Sequence, residues 1–161
     1  DVPQGSAAPG WQATAHSFAV QEELGLLYHS DTRGSFPYLP RLGGRRFLCL
    51  EIPTTLPTLD EKLGTGKGGR EGLMDTYQHL LRPGALNVLT VHAEVEGRAY
   101  LELFRAVLSR WREEGIRFVR LVDLAVKIRS SPSPAPLCEV EWRQLPGRPG
   151  AVACQSATVG P

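Results

Sequence analysis

The sequence predicts an α/β protein with about four mainly parallel strands, forming an open sheet or part of a larger barrel. Helical and strand-like patterns largely alternate along the chain. The strand candidates are short apolar runs, and three of them end in polar residues. Continuously apolar strands are buried on both faces, which is how parallel sheets covered by helices read. Four strands are few for a closed barrel, which usually has about eight.

Residues 1–12 read as irregular, broken by Pro3, Gly5, Pro9 and Gly10. "TAHSFAVQEELG" puts Ala15, Phe18 and Ala19 at helical spacing and predicts a helix over 13–24, stopped by Gly25. "LLY" predicts a short strand running into a polar turn, "HSDTRG". "RRFLCLEIP" predicts the next strand, ended by Pro53, which has no N–H for a ladder. "LGTGKGGREG" holds five glycines in ten residues and predicts a mobile loop. A helix follows over about 72–81 and stops at "RPG".

"LNVLTVH", residues 86–92, predicts the clearest strand. "RAYLELFRAVLSRWREEG" predicts the clearest helix. Tyr100, Leu101, Phe104, Leu108 and Trp111 supply its apolar stripe, and Gly115 stops it. Arg98 and Glu102 are spaced for an ion pair along it. "IRFVR" predicts another strand and "LVDLAVKI" another short helix. "SSPSPAP" has linker composition, and no clear period follows it. The chain therefore divides into an α/β part, 1–129, and a Pro-rich linker with a tail, 130–161.

The net charge of +1 gives no electrostatic reason for nucleic-acid binding. No apolar run reaches membrane-spanning length. "DVPQGSAAPG" has neither the basic nor the apolar region of a signal peptide, and it lacks an initiator Met, as a processed, tagged or truncated product would. A cytoplasmic location is expected. Cys49, Cys138 and Cys154 are an odd number without zinc spacing and read as reduced, structural residues.

In parallel α/β folds, sites collect at the carboxyl ends of strands. Here those ends carry Tyr28 to Arg33, Glu51 with Thr54 and Thr55, and His92 with Glu94. Parallel strands would bring all three sets to one rim, where Asp31 can orient the His92 imidazole for acid–base work. The competing reading makes His92 a satisfied histidine at a strand end and Asp31 a turn-former. Glu96 reads as a favourable acid at the start of the next helix. His16 and His79 fall within predicted helices and read as surface or half-buried. "GTGKGG" lacks Ser or Thr after Lys67 and has Glu61 where a phosphate loop needs its first glycine, so it reads as a plain loop. "SFPYLP" and "IPTTLPTLD" read as apolar loops, either lining a pocket with Trp11 or covering the core.

"SAAPGW", "LLYHSDTRGSFPYLP", "IPTTLPTLDE" and "TVHAEVEGRAY" occur in the order of a bacterial deformylase branch of the polysaccharide deacetylase superfamily, and "GRPGAVACQ" resembles its C-terminal end. The resemblance covers about residues 6–125 and the last stretch of the chain. It implies the C-terminal half of a distorted (β/α) barrel of the NodB-like type. It also implies a divalent metal, usually zinc, and hydrolytic removal of an N-formyl or N-acetyl group from an amino sugar, in this branch one linked to undecaprenyl phosphate. Peripheral contact with the inner membrane goes with such a substrate. His92 matches the histidine that protonates the leaving amine, and Asp31 the aspartate that orients it. Pro9, Gly10 and Trp11 match a wall of the substrate groove, which Arg33 and Glu94 would help to line.

The wider superfamily prefers an Arg in the first loop and a Leu two before the histidine. This chain has Ala7, Ala8 and Pro9, and Thr90, as its deformylase branch does. The superfamily's aspartate pair and its two metal-binding histidines find no match, so the metal ligands are mostly expected outside this chain. Half a barrel would leave strand edges open and would need its other half or a second copy. The alternative is a catalytically incomplete fragment, a carbohydrate- or lipid-binding remnant without metal ligands.

Overall fold

The structure, a computed structural model, describes residues 2–64 and 70–160. These residues divide into two compact units. One comprises 2–55, 119–145 and 150–160; the other comprises 56–64, 70–118 and 146–149. The predicted glycine-rich loop falls largely on 65–69, outside the described residues.

In the first unit, β1 (Gly5–Ser6), β2 (Tyr28–His29) and β5 (Leu50–Glu51) form a parallel sheet with β2 at its centre. α1 (Ala15–Glu23) starts at Thr14, whose hydroxyl accepts the Ser17 N–H while the Ser17 hydroxyl accepts the Thr14 N–H. This reciprocal cap fixes the start of a helix with a weak apolar stripe. Gly25, at φ 68°, ends it in the left-handed conformation glycine adopts freely.

A second, mixed sheet has the order β4 (Arg45–Arg46), β3 (Leu39–Leu42), β6 (Leu137–Gln144), β7 (Ala151–Val159). Phe18, Tyr38, Phe47, Cys138, Val140 and Ala153 pack together in one buried cluster. α5 (Leu121–Arg129) completes the unit as predicted. The three cysteines are free and buried.

Two expectations change here. The strand predicted over "RRFLCLEIP" is broken into β4 and β5, because the segment serves two different sheets. The residues read as a linker and tail contribute the β6–β7 hairpin. Its alternation is hidden: β6 slips register between Cys138 and Val140, and β7 buries Val152, Ala153 and Cys154 in succession.

The described residues of the second unit are helical or irregular. α2 (Leu59–Gly64), α3 (Arg70–Leu80) and α4 (Leu101–Glu113) enclose Leu56, Leu73, Tyr77, Leu103, Val107 and Trp111. The buried face of α4 is Leu103, Val107 and Trp111, and Tyr100 and Leu108 from the predicted stripe pack at its margin. Residues 86–92 and 116–120, predicted as strands, form none. A strand requires a neighbour for its N–H and C=O groups. The first segment has a bond from Leu56 N–H to the Val88 carbonyl, and Val91 is exposed. "IPTTLPTLD" also proves more ordered than a loop, since its end enters α2. Thr58 followed by Glu61 is a capping-box spacing, and the Thr58 N–H bonds the Glu61 carboxylate at 3.1 Å.

Candidate functional site

Parallel pairing of β2 with β5 sets His29 opposite Glu51, and the chain then turns through Ser30 to Gly34. His29, Asp31 and Glu51 are all 0% exposed. Buried charges are tolerated when they are paired and hydrogen-bonded. Glu51 Oε1 accepts the Asp31 N–H (3.0 Å), the Thr32 N–H (2.9 Å) and the Thr32 hydroxyl (2.8 Å). Its Oε2 abuts His29 Nδ1 as an ion pair. Asp31 accepts the Ala8 N–H at 2.7 Å and Gln21 Nε2 at 2.6 Å, and its Oδ2 lies 3.6 Å from His29 Nδ1. The His29 ring stacks on Phe18 with centroids 4.8 Å apart. Burial alone would lower the imidazole's pKa. The Glu51 charge and contact, aided by Asp31 and the Cys49 backbone, outweigh it and raise the pKa above 6.5.

Trp11 has φ 54°, a left-handed conformation that a bulky side chain rarely adopts. Its neighbours hold it there. The indole is buried, its Nε1–H donates to Thr54 Oγ1 at 3.2 Å, and the Arg33 guanidinium lies 4.7 Å from the ring centroid. An outlier held this firmly points to use rather than accident. Pro9 and Gly10, both exposed, precede it in the same 3-10 turn, and Arg33 is half-buried. The first unit thus brings Asp31, Trp11, Arg33 and Glu51 to the carboxyl side of its parallel sheet.

His92 and Glu94 belong to the second unit. Past His92 the chain turns at once, with the Val95 and Glu96 N–H groups both bonding the His92 carbonyl. A π-turn follows over Val95–Ala99, closed by Tyr100 N–H to the Val95 carbonyl at 3.1 Å. Such turns recur at functional sites. Glu96, predicted only as a helix-start acid, is buried, and its Oε2 accepts the His92 N–H at 2.8 Å. Glu94 is exposed.

The His92 ring faces a carboxylate, Asp60, with Nδ1 3.8 Å from Oδ1. Arg148 lies 3.5 Å from the other Asp60 oxygen and bonds Glu61 Oε1 at 2.8 Å. Burial alone would raise the Asp60 pKa, but the Thr58 hydrogen bond and the charges of Arg148 and His92 outweigh it and lower the pKa. Gly147 lets the chain pass here. A Cβ on it would stand 2.6 Å from the Glu61 carbonyl oxygen, and its φ is 81°.

No sequence motif marks Gln21, Asp60, Glu61 or Arg148 as site residues. The capping-box spacing at Thr58 was a signal for α2 and therefore for Asp60. Arg148 lies in a stretch without period and carried no such signal. Among the described residues, no group of three or more His, Cys, Asp or Glu side chains is arranged to hold a metal ion. The described side chains by themselves thus offer no complete ligand set for the implied metal. No described helix is long and apolar enough to cross a membrane.

No family model matches the chain. A curated protein of Shewanella sediminis (strain HAW-EB3), named "Probable 4-deoxy-4-formamido-L-arabinose-phosphoundecaprenol deformylase ArnD", is 32% identical over 154 residues, covering 96% of this chain and 48% of that protein. A protein of the same name from Wigglesworthia glossinidia brevipalpis is 32% identical over 157 residues, covering 95% of this chain and 53% of that protein. The chain spans about half the length of the curated relatives it matches, and it resembles part of such a deformylase, as its motifs indicate.

Proposed function

We propose that this chain is the C-terminal part of a hydrolase that removes an N-formyl or N-acetyl group from an amino sugar. The substrate is a formamido-arabinose on undecaprenyl phosphate, and the scaffold is half of a distorted (β/α) barrel of the NodB-like type. The support is the likeness to two proteins named as deformylases of that substrate, over nearly the whole of this chain. The single observation that carries the chain's own share is His92, a partly exposed imidazole that faces a carboxylate and whose backbone is tied by Glu96.

Hydrolysis adds water across the amide. The hydroxyl joins the carbonyl carbon, the C–N bond breaks, and the nitrogen leaves once protonated. In this reading His92, as imidazolium, gives its proton to that nitrogen. Asp31 is the second catalytic residue, the carboxylate that orients the imidazole. Pro9, Gly10, Trp11, Arg33 and Glu94 bind the substrate. The divalent metal that the resemblance implies, usually zinc, has most of its ligands outside this chain, and no step assigned to these residues runs through it. The protein works in the cytoplasm with peripheral contact at the inner membrane, and the barrel's remaining half or a second copy completes the scaffold.

The test is formate release by the enzyme that includes this chain. His92→Ala is expected to lower kcat by about 10²–10⁴-fold with metal content unchanged. Retained turnover overturns the reading. Saccharide or lipid binding with no turnover even in the wild type would favour the binding remnant, which the unmatched aspartate and histidine motifs support.

A further inference from the structure

Within the second unit, two enclosed polar atoms face each other without a hydrogen-bond partner among the described residues: His92 Nδ1 and Asp60 Oδ1. They lie 3.8 Å apart. Enclosed polar atoms without partners are uncommon and call for a reason. One is a nitrogen that can carry a proton and the other an oxygen that can accept it, so each supplies what the other lacks. Hydrogen bonds of acid–base sites are often long in the free protein and tighten when substrate is bound.

We infer that Asp60 is a positioning residue for His92, holding its Nδ1–H so that Nε2 faces the reacting amide, with Arg148 and Glu61 fixing Asp60 in place. The resemblance gives an orienting role to Asp31; Asp60 is a further carboxylate for the same ring. Arg148 bridges Asp60 and Glu61, and Glu61 is tied to the backbone of Thr58 at the start of α2. The backbone of His92 is held separately by Glu96. Ring and backbone are thus constrained by different carboxylates. A histidine that protonates a leaving group from Nε2 returns to the neutral form with its remaining proton on Nδ1, and a carboxylate there selects that tautomer.

The inference rests on His92 as the proton donor, yet its test needs no turnover. Nitrogen chemical shifts of the His92 ring in this chain, at a pH where the ring is neutral, report the tautomer directly. The expected result is Nδ1–H as the major form in the wild type, Nε2–H in Asp60→Ala, and return toward Nδ1–H in Asp60→Glu. Arg148→Gln, which keeps Asp60 but removes its cationic partner, is expected to lower the Nδ1–H fraction. Nε2–H as the major form in the wild type overturns the inference without any variant having to fold. An unchanged tautomer in Asp60→Ala overturns it too. Nδ1–H held by Asp60 together with full turnover in His92→Ala would leave the positioning contact standing and sink the proposed function instead.

Discussion

The two units treat a histidine beside carboxylates in opposite ways. In the first, His29, Asp31 and Glu51 are sealed, and the carboxylates collect backbone N–H groups, a hydroxyl and an amide. In the second, His92 and Asp60 keep 31% and 39% of their side chains exposed and leave facing atoms unbonded. Breaking the buried network costs stability, because it strands a charge and backbone N–H groups away from water. An open, under-bonded pair contributes little to stability and retains the capacity to bind and move a proton. The comparison teaches that a histidine beside carboxylates can be sealed into the interior or left partly open to solvent, and that burial and partners, not residue types, tell the two apart.

The largest effect that would break this comparison is Glu51→Ala. It leaves the buried His29 without its counter-ion and the N–H groups of Asp31 and Thr32 without an acceptor. Urea unfolding is expected to show a loss of about 3–5 kcal/mol. A loss under about 1 kcal/mol would mean that the network does not hold the first unit.

Next is Gly147→Ala in the second unit. The added Cβ meets the Glu61 carbonyl oxygen and sits on a left-handed backbone. The expected loss is about 2 kcal/mol, accompanied by displacement of Arg148 from Glu61 in the variant's crystal structure. An unshifted Arg148 would show that the tail does not depend on this close approach.

The smallest effect is a pH slope. The folded-state pKa of His29 is raised above 6.5. Its stabilisation is therefore fully present below the unfolded value and is lost as pH rises through the raised one. The slope for one proton is at most about 1.4 kcal/mol per pH unit. His29→Gln is expected to flatten the unfolding free energy across the window that opens above pH 6.5, and an unchanged slope would place the titration elsewhere.

Much of the helical content was legible because it rests on local rules: the helical spacing of Ala15, Phe18 and Ala19, the Gly25 and Gly115 stops, and the apolar stripe of α4. The candidate residues His92 and Asp31 were legible from motif order, and the burial of Asp31 and the partial exposure of His92 were not. Asp60 and Arg148 stand 88 residues apart by number and belong to no shared pattern, so their ion pair exists only once the chain has folded.

The amino-acid sequence alone determined which segments wind into helices, where glycine must stop them, and which family's motifs the chain carries, since each depends on near neighbours or on residue identity. Tertiary structure alone decided that 86–92 has no strand partner, that the last residues close a second sheet, and which carboxylate faces which imidazole. Those outcomes depend on which distant groups find each other. Ladder hydrogen bonds, burial and charge pairing are settled across space.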